Sequence, residues 1–344
     1  MTASEADLVP NVLREYGDAT RVALCEYLQP RDPVRHLYGP LADYPRRGGR
    51  MLRASLCLAT ARAFGASLEQ ALPSAVALEL MHNAFLVHDD IEDESELRRG
   101  RPTLHEMHGV PLAVNVGDAL NLAALRALID NRQVLGSGLA LRILEDAQRT
   151  AREAVEGQAI ELGWRRDNAM HLAEDDYLLM VLKKTCWYTT IFPCRVGALI
   201  GTRGRVNPDR FLRFGFFLGA AFQIQDDLLN LIGDRERYGK ELLGDLHEGK
   251  RTLMLIHLLR HASSPERARL ASILERPRID RTPDDAEWIL ARMTDQGSLE
   301  YARKIAHGLA GAASHEFSLA FDALPDTRDK RFVRGVVSWV LERS

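Results

Sequence analysis

The chain has 344 residues, 46% hydrophobic, 27% charged and 7% aromatic, with a formal net charge of −3. That composition supplies a large core and excludes a disordered chain, while the near-neutral charge argues against a protein that coats nucleic acid. The four cysteines, Cys25, Cys57, Cys186 and Cys194, have no CxxC spacing and no His cluster, which excludes a disulfide framework and speaks against a zinc site or redox pair.

Residues 1–16 carry Glu5, Asp7 and Glu15 and lack a basic stretch followed by an apolar run, so no secretory leader is expected and the cysteines read as reduced, in the cytoplasm. Helical periodicity then begins. Leu52, Leu56, Ala59 and Ala63 recur at spacings of three and four, and Ala75, Leu78, Met81, Ala84 and Phe85 repeat the pattern, with Pro73 near the expected helix start. Further helices are expected at about 113–130, 139–163, 174–201, 209–233 and 250–262. Gly and Pro breaks separate them at 46–49, 100–102, 136–138, 204–208, 233–244 and 277–283. Strand signals are scarce, and neither a linker nor a fixed-period repeat is present. The most apolar run, 214–222, is far short of the roughly 20 residues that cross a bilayer, so no transmembrane segment is expected. The expectation is one all-α domain over residues 1–344.

Two of these helices end in acid. The first carries Asp89, Asp90 and Asp93 after the apolar Phe85, Leu86 and Val87; the second carries Asp226, Asp227 and Asn230 after the apolar run 216–224. Asp89 and Asp93 are four apart and share a helix face, where like charges repel unless cations lie between them. Oxygen ligands of this kind suit Mg2+, whose octahedral shell is completed by water and substrate phosphate. One such match is better explained by a solvated helix terminus, but the second, 137 positions later, points to acid at the mouth of a cavity.

Short basic groups accompany the acid: Arg50 and Arg53 after the Gly48-Gly49 pair, Arg98-Arg99, Lys183-Lys184-Thr185, Lys240, and Lys250-Arg251-Thr252. Arg presents a planar fork to phosphate oxygens and Lys a mobile point charge. Each group alone could serve solubility. Together with the paired carboxylates they make a diphosphate trap.

In order along the chain, GGRMLR, ELMHNAFLVHDDIEDESELRRG, GDALNLAA, GQAIEL, KKT, FQIQDDLLNLIGD and YGKELLGDLHEGKRT resemble the trans-isoprenyl diphosphate synthases, the polyprenyl synthetase family. The resemblance implies a bundle of ten or more helices around a deep apolar cavity, usually a homodimer, that condenses isopentenyl diphosphate with an allylic diphosphate in a 1'-4 head-to-tail reaction. It also implies residue roles. Asp89 and Asp93 would bind two Mg2+ on the allylic diphosphate, Asp90 would support that shell, and Asp226 would hold a third Mg2+. Arg98, Lys184 and Lys240 would contact the allylic diphosphate; Arg50, Arg53, His82 and Arg99 would hold isopentenyl diphosphate, with Lys250 among the substrate-binding cations. Thr185 and Gln223 would line the reacting carbons.

The sequence departs from the family at Arg50, where Lys is usual, at Ala54, where Pro is usual, and at Asn230, where Asp is usual; the last is expected to weaken the third metal site. Trp187 is bulkier than the family usually places after Lys-Thr and is expected to pack rather than narrow the cavity. Ala84 and Phe85, about one turn before Asp89, are expected to set the cavity floor and a C20 product, geranylgeranyl diphosphate, with C15 farnesyl diphosphate next. The competing readings are a class I terpene cyclase, whose second acidic motif is missing after Asp226, and a catalytically silent partner subunit, which would be expected to lack these aspartates.

Overall fold

The computed structural model describes residues 5–233 and 241–342. More than ten helices form among these residues, as expected, together with one two-stranded hairpin. The helix carrying the first acidic motif runs Leu68–Glu92. It starts on a capping box, in which Ser67 and Gln70 satisfy each other's backbone N–H groups, so Pro73 lies inside the helix instead of at its start. The helix Val110–Leu135 packs along it, and Ser137–Arg166 follows. The second acidic motif lies on Leu212–Ile232, backed by Ser298–Phe321.

The expected helix over 174–201 is three segments: Glu174–Val181, a π-helical stretch Leu182–Ile191, and Phe192–Gly201. Pro193 supplies a physical reason, because it lacks the N–H that would bond back to residue 189 and the ladder widens before it. The π-helical stretch also presses on Gly157, where a Cβ would stand 2.2 Å from the backbone nitrogen of Lys184. Only glycine at 157 lets the Lys184 backbone come this close.

Sequence periodicity missed the hairpin, Leu97–Arg98 paired antiparallel with Arg101–Pro102. Strands of two residues leave no alternation to detect. By length and composition the helix Val110–Leu135 is long and apolar enough to cross a membrane, a test that buried core helices also pass. In the fold it lies against the first acidic helix and contributes Val116, Leu120 and Leu128 to the core. Cys57, Cys186 and Cys194 are buried and Cys25 exposed, all as free thiols.

Candidate active site

The two acidic helices end at one cavity of about 1030 Å³. Arg50, Arg53, His82, Phe85, Asp89, Arg98, Arg99, Lys184, Thr185, Gln223, Asp226 and Lys250 all line it. Twelve positions spread over 200 residues therefore converge on one space. Lys240 lies outside the described residues. Ala84 is fully buried in the core and is not among the lining residues, so of the expected floor pair only Phe85 faces the cavity.

The three aspartates of the first motif differ in surroundings. Asp89 is partly exposed and meets cations on two sides, Lys184 Nζ at 3.3 Å and Arg98 Nη2 at 3.7 Å. Asp90 is buried and points away from the cavity: its carboxylate accepts from Arg98 Nε at 2.9 Å, from Arg98 Nη2, and from the Tyr44 hydroxyl at 2.5 Å. Burial alone would lower the Arg98 pKa, but Asp90 more than offsets it and the guanidinium is held charged above its ordinary value. Asp93 ends the helix, buried between Arg165 Nη1 at 2.5 Å and Lys250 Nζ at 2.7 Å. Burial pushes its pKa up, and the neighbouring cations, Lys250 foremost, pull it below the ordinary range.

Lysines thus stand against the acids. Lys184 bridges Asp89 and Glu161, at 2.7 Å from the latter, and Lys250 meets Asp93, Asp245 and Glu248. For both, burial favours the neutral amine but the surrounding carboxylates outweigh it and keep the ammonium charged. Among the described residues no group of three or more His, Cys, Asp or Glu is gathered as a ready-made metal cage. Carboxylates dispersed around a mouth and neutralised by lysines suit a cation whose shell is completed by a phosphate ligand rather than by protein alone.

On the second motif both Asp226 and Asp227 line the cavity, and Asp227 is the more buried of the two. Asp227 accepts from the Tyr177 hydroxyl at 2.8 Å and Gln223 Nε2 at 2.7 Å, and burial, then Asp245, pushes its pKa up to about 8. Because Gln223 donates to Asp227, its Oε1 is free to accept from Thr185 Oγ1 at 2.8 Å. The Thr185 proton is thereby committed, and the lone pairs of its oxygen are left for positive charge in the cavity.

Asn230 is buried and holds the following loop: its Oδ1 accepts from the Asp245 backbone N–H at 3.1 Å, and its backbone carbonyl accepts from Leu243 at 2.9 Å. That contact helps place Asp245, itself a lining residue, beside Lys250.

A family model described as polyprenyl synthetase matches residues 34–293 of this chain. The chain belongs to the polyprenyl synthetase family. This synthetase is accordingly a transferase of prenyl groups with the family's all-α fold. It is 34% identical over 266 residues to the short chain isoprenyl diphosphate synthase of Methanothermobacter thermautotrophicus, covering 77% of this chain and 80% of that one. The crystal structure of geranylgeranyl pyrophosphate synthetase from Pyrococcus horikoshii superposes with a TM-score of 0.86 at 29% identity, over 99% of this chain and 100% of that one. Geranylgeranyl pyrophosphate synthase from Corynebacterium glutamicum, solved with isoprenyl diphosphate and magnesium, superposes with a TM-score of 0.81 at 25% identity over 99% of each chain.

Several residues of the synthetase's cavity were given no role by the sequence reading. Tyr188 sits beneath Arg53, whose guanidinium lies 4.5 Å from the ring centroid and donates to its hydroxyl at 3.1 Å; the same ring meets Phe85 edge-on at 5.3 Å. Trp187, its neighbour, is buried in the core under Arg149 and Arg195, so it packs as expected. Trp339, on the helix Arg328–Glu342, lies 5.4 Å under the Arg50 guanidinium. Glu79 is buried behind Arg53 and accepts from the Ala54 N–H at 3.2 Å, with burial raising its pKa against the pull of Arg53. Glu92, Glu161 and Asp245 also line the cavity. Glu79, Glu161 and Asp245 stand inside the ELMHNAFLVHDD, GQAIEL and YGKELLGDLHEGKRT elements, which was the available clue; Tyr188 and Trp339 are brought in only by long-range packing.

Proposed function

We propose that this synthetase catalyses Mg2+-dependent 1'-4 condensation of isopentenyl diphosphate with an allylic diphosphate and releases geranylgeranyl diphosphate. The observation that carries the reading is the single cavity with two basic walls. Arg98 and Lys184 stand beside Asp89, while Arg53 and Arg99 form a second group around Glu79, and Arg50 and His82 line the same cavity. A cyclase needs one diphosphate site; two such groups fit two diphosphates.

Asp89 and Asp93 would be ligands for two Mg2+ and Asp226 for a third; Asp89 and Asp226 line the cavity, while Asp93 is buried between Arg165 and Lys250 and would exchange those contacts for the ion. Bound there, the ions would neutralise the leaving diphosphate. The protein's own part is to hold and to shield. Arg98 and Lys184 hold the allylic diphosphate, Lys250 stands by the same acids, and the Thr185 oxygen and Gln223 face the carbon that becomes cationic. Arg50, Arg53 and Arg99 fix the isopentenyl diphosphate so that its double bond lies close to that carbon. No side-chain base is required, because the departing diphosphate can accept the proton. Phe85, Leu86 and Phe222 give the apolar wall that excludes water from the cation.

Phe85, capped edge-on by Tyr188, supports an end to chain growth near C20. Exposed Val114, Leu122, Leu125 and Ile129 on Val110–Leu135, with Leu141 and Val155 on the next helix, support a homodimer formed through this apolar face. The reduced cysteines fit a cytoplasmic location. The test is incubation of the purified chain with Mg2+, labelled isopentenyl diphosphate and dimethylallyl, geranyl or farnesyl diphosphate, with products read by mass spectrometry. Labelled C20 diphosphate is expected from all three. Absence of incorporation, with a hydrocarbon released from a preformed prenyl diphosphate, would establish a cyclase instead.

A further inference from the structure

We propose that Arg47 is a positioning residue for the isopentenyl diphosphate subsite, acting through Arg99; this rests on the function proposed above. Arg47 follows the short helix Asp43–Arg46, and its side chain is 1% exposed. Its Nε donates to Asp43 at 2.5 Å, Nη1 to the carbonyls of Arg98 at 2.9 Å and Arg101 at 3.3 Å, and Nη2 to that of Pro102 at 2.7 Å. The Tyr44 ring lies 4.7 Å from the guanidinium carbon. A fork spent in this way holds the hairpin; a phosphate oxygen could take it only by releasing the hairpin carbonyls.

The hairpin needs such a hold. It consists of two residue pairs, Leu97 with Pro102 and Arg98 with Arg101, far fewer than a free hairpin requires. Its turn places Arg99 and Gly100 at φ 55° and 71°, and the left-handed region is unfavourable for a long side chain such as Arg99. Arg98 has a second anchor in Asp90. Among the described residues Arg99 has none from an acid within hydrogen-bond distance: its Nη1 donates to the carbonyls of Tyr44, at 3.1 Å, and Gly48. It also lies so close to Gly49, at φ 141°, that a Cβ there would stand 2.8 Å from Nη2. The segment 43–49 thus grips the hairpin backbone through Arg47 and seats the Arg99 side chain through its own carbonyls. Loss of Arg47 releases Arg99 first and leaves Arg98 on Asp90.

The experiment compares Arg47→Ala, Arg47→Lys, Arg99→Ala and the double variant Arg47→Ala/Arg99→Ala. Steady-state KM is measured for both substrates, and isopentenyl diphosphate binding by calorimetry in the presence of Mg2+ and a non-ionising thiolo analogue of the allylic diphosphate. For Arg47→Ala the isopentenyl KM and Kd are expected to rise about tenfold, with allylic KM and kcat within about threefold of wild type. The double variant is expected to be no weaker for isopentenyl diphosphate than Arg99→Ala alone, since one residue acts through the other. Millimolar guanidine is expected to restore part of the affinity of Arg47→Ala and none of Arg99→Ala in the double variant. Should Arg47→Ala fail to fold, Arg47→Lys, which reaches one carbonyl instead of three, carries the same comparison. An equal rise in both KM values, an unchanged isopentenyl Kd, or additive effects in the double variant would overturn the proposal. A wild-type chain that condenses nothing refutes the function; an active wild type with insensitive Arg47 variants refutes this role alone.

Discussion

Asp89 and Asp90 are neighbours in sequence with opposite surroundings, and substituting each by Asn should separate stability from catalysis. Asp90 is 1% and Arg98 6% exposed, and they share a bidentate contact that also receives the Tyr44 hydroxyl. Removing one partner of a buried pair typically costs about 3–5 kcal/mol, because the remaining charge stays buried without compensation. Asn at 90 keeps one acceptor for Arg98, and Asp89 at 3.7 Å offers residual compensation, so the lower end, about 3 kcal/mol, is the expected loss. Asp89 is 22% exposed and its cation contacts are 3.3 and 3.7 Å, closer to a surface pair worth at most about 1 kcal/mol. Asp89→Asn should therefore unfold within about 1 kcal/mol of wild type in urea without Mg2+, yet lose about 10³-fold or more in kcat through the allylic diphosphate site. Asp90→Asn should be the less stable protein, with a raised allylic KM and a smaller loss in kcat. The reasoning is refuted if Asp89→Asn is the more destabilised variant, or if Asp90→Asn unfolds with the wild-type midpoint.

Phe85→Ala opens the wall that Tyr188 caps edge-on at 5.3 Å, so products of C25 or longer are expected by mass spectrometry; an unchanged C20 product would show that the end of the cavity lies elsewhere. Asn230→Asp keeps an acceptor for the Asp245 N–H but adds a charge beside Asp226, Asp227 and Asp245. It should lower stability without Mg2+ by about 1 kcal/mol and reduce the Mg2+ concentration needed for half-maximal rate; a rate profile identical to wild type would show that position 230 has no part in the metal requirement. Asp285 caps the helix Pro283–Asp295, and its hydrogen bond with Arg276 at 2.9 Å, with those to Thr282, holds its pKa at about 2. A lowered folded-state pKa stabilises above the ordinary value of 3.8 and the gain fades as pH falls toward 2, so Asp285→Asn should cost about 1 kcal/mol at pH 7 and progressively less below pH 4. A pH-independent difference in thermal midpoint would contradict that assignment.

What could be read from the sequence was whatever left a local mark. Asp89, Asp93 and Asp226 stand out because charge interrupts an apolar helical period, Arg98 and Arg99 because they follow the first motif closely, and Lys184 as part of the Lys183-Lys184-Thr185 element. The hairpin had no period, and the π-helical stretch at Lys184 differs from an α-helix by one residue per turn, below what apolar spacing can resolve. Facing was harder still. Ala84 and Phe85 are adjacent, and only the packing of Leu68–Glu92 against its neighbours turns one into the core and the other into the cavity.

The departures from the family pattern gain a physical setting only in three dimensions. Arg50 in place of Lys lies over Trp339, an aromatic face that a planar guanidinium stacks on more readily than an ammonium does. Asn230 in place of Asp spends its oxygen on the backbone of Asp245, and that carboxylate lines the cavity. An Asp at 230 could accept the same bond, but it would add a fourth carboxyl group to a set whose buried member, Asp227, is already forced up to about 8 by burial and by Asp245. Neutral Asn holds the loop without that repulsion. The formal charge of −3 is therefore the sum of closely matched local sets, in which Lys184, Lys250 and Arg165 stand against Asp89, Asp93 and Glu161, and a substrate diphosphate with its Mg2+ can exchange for those contacts without leaving the acids bare.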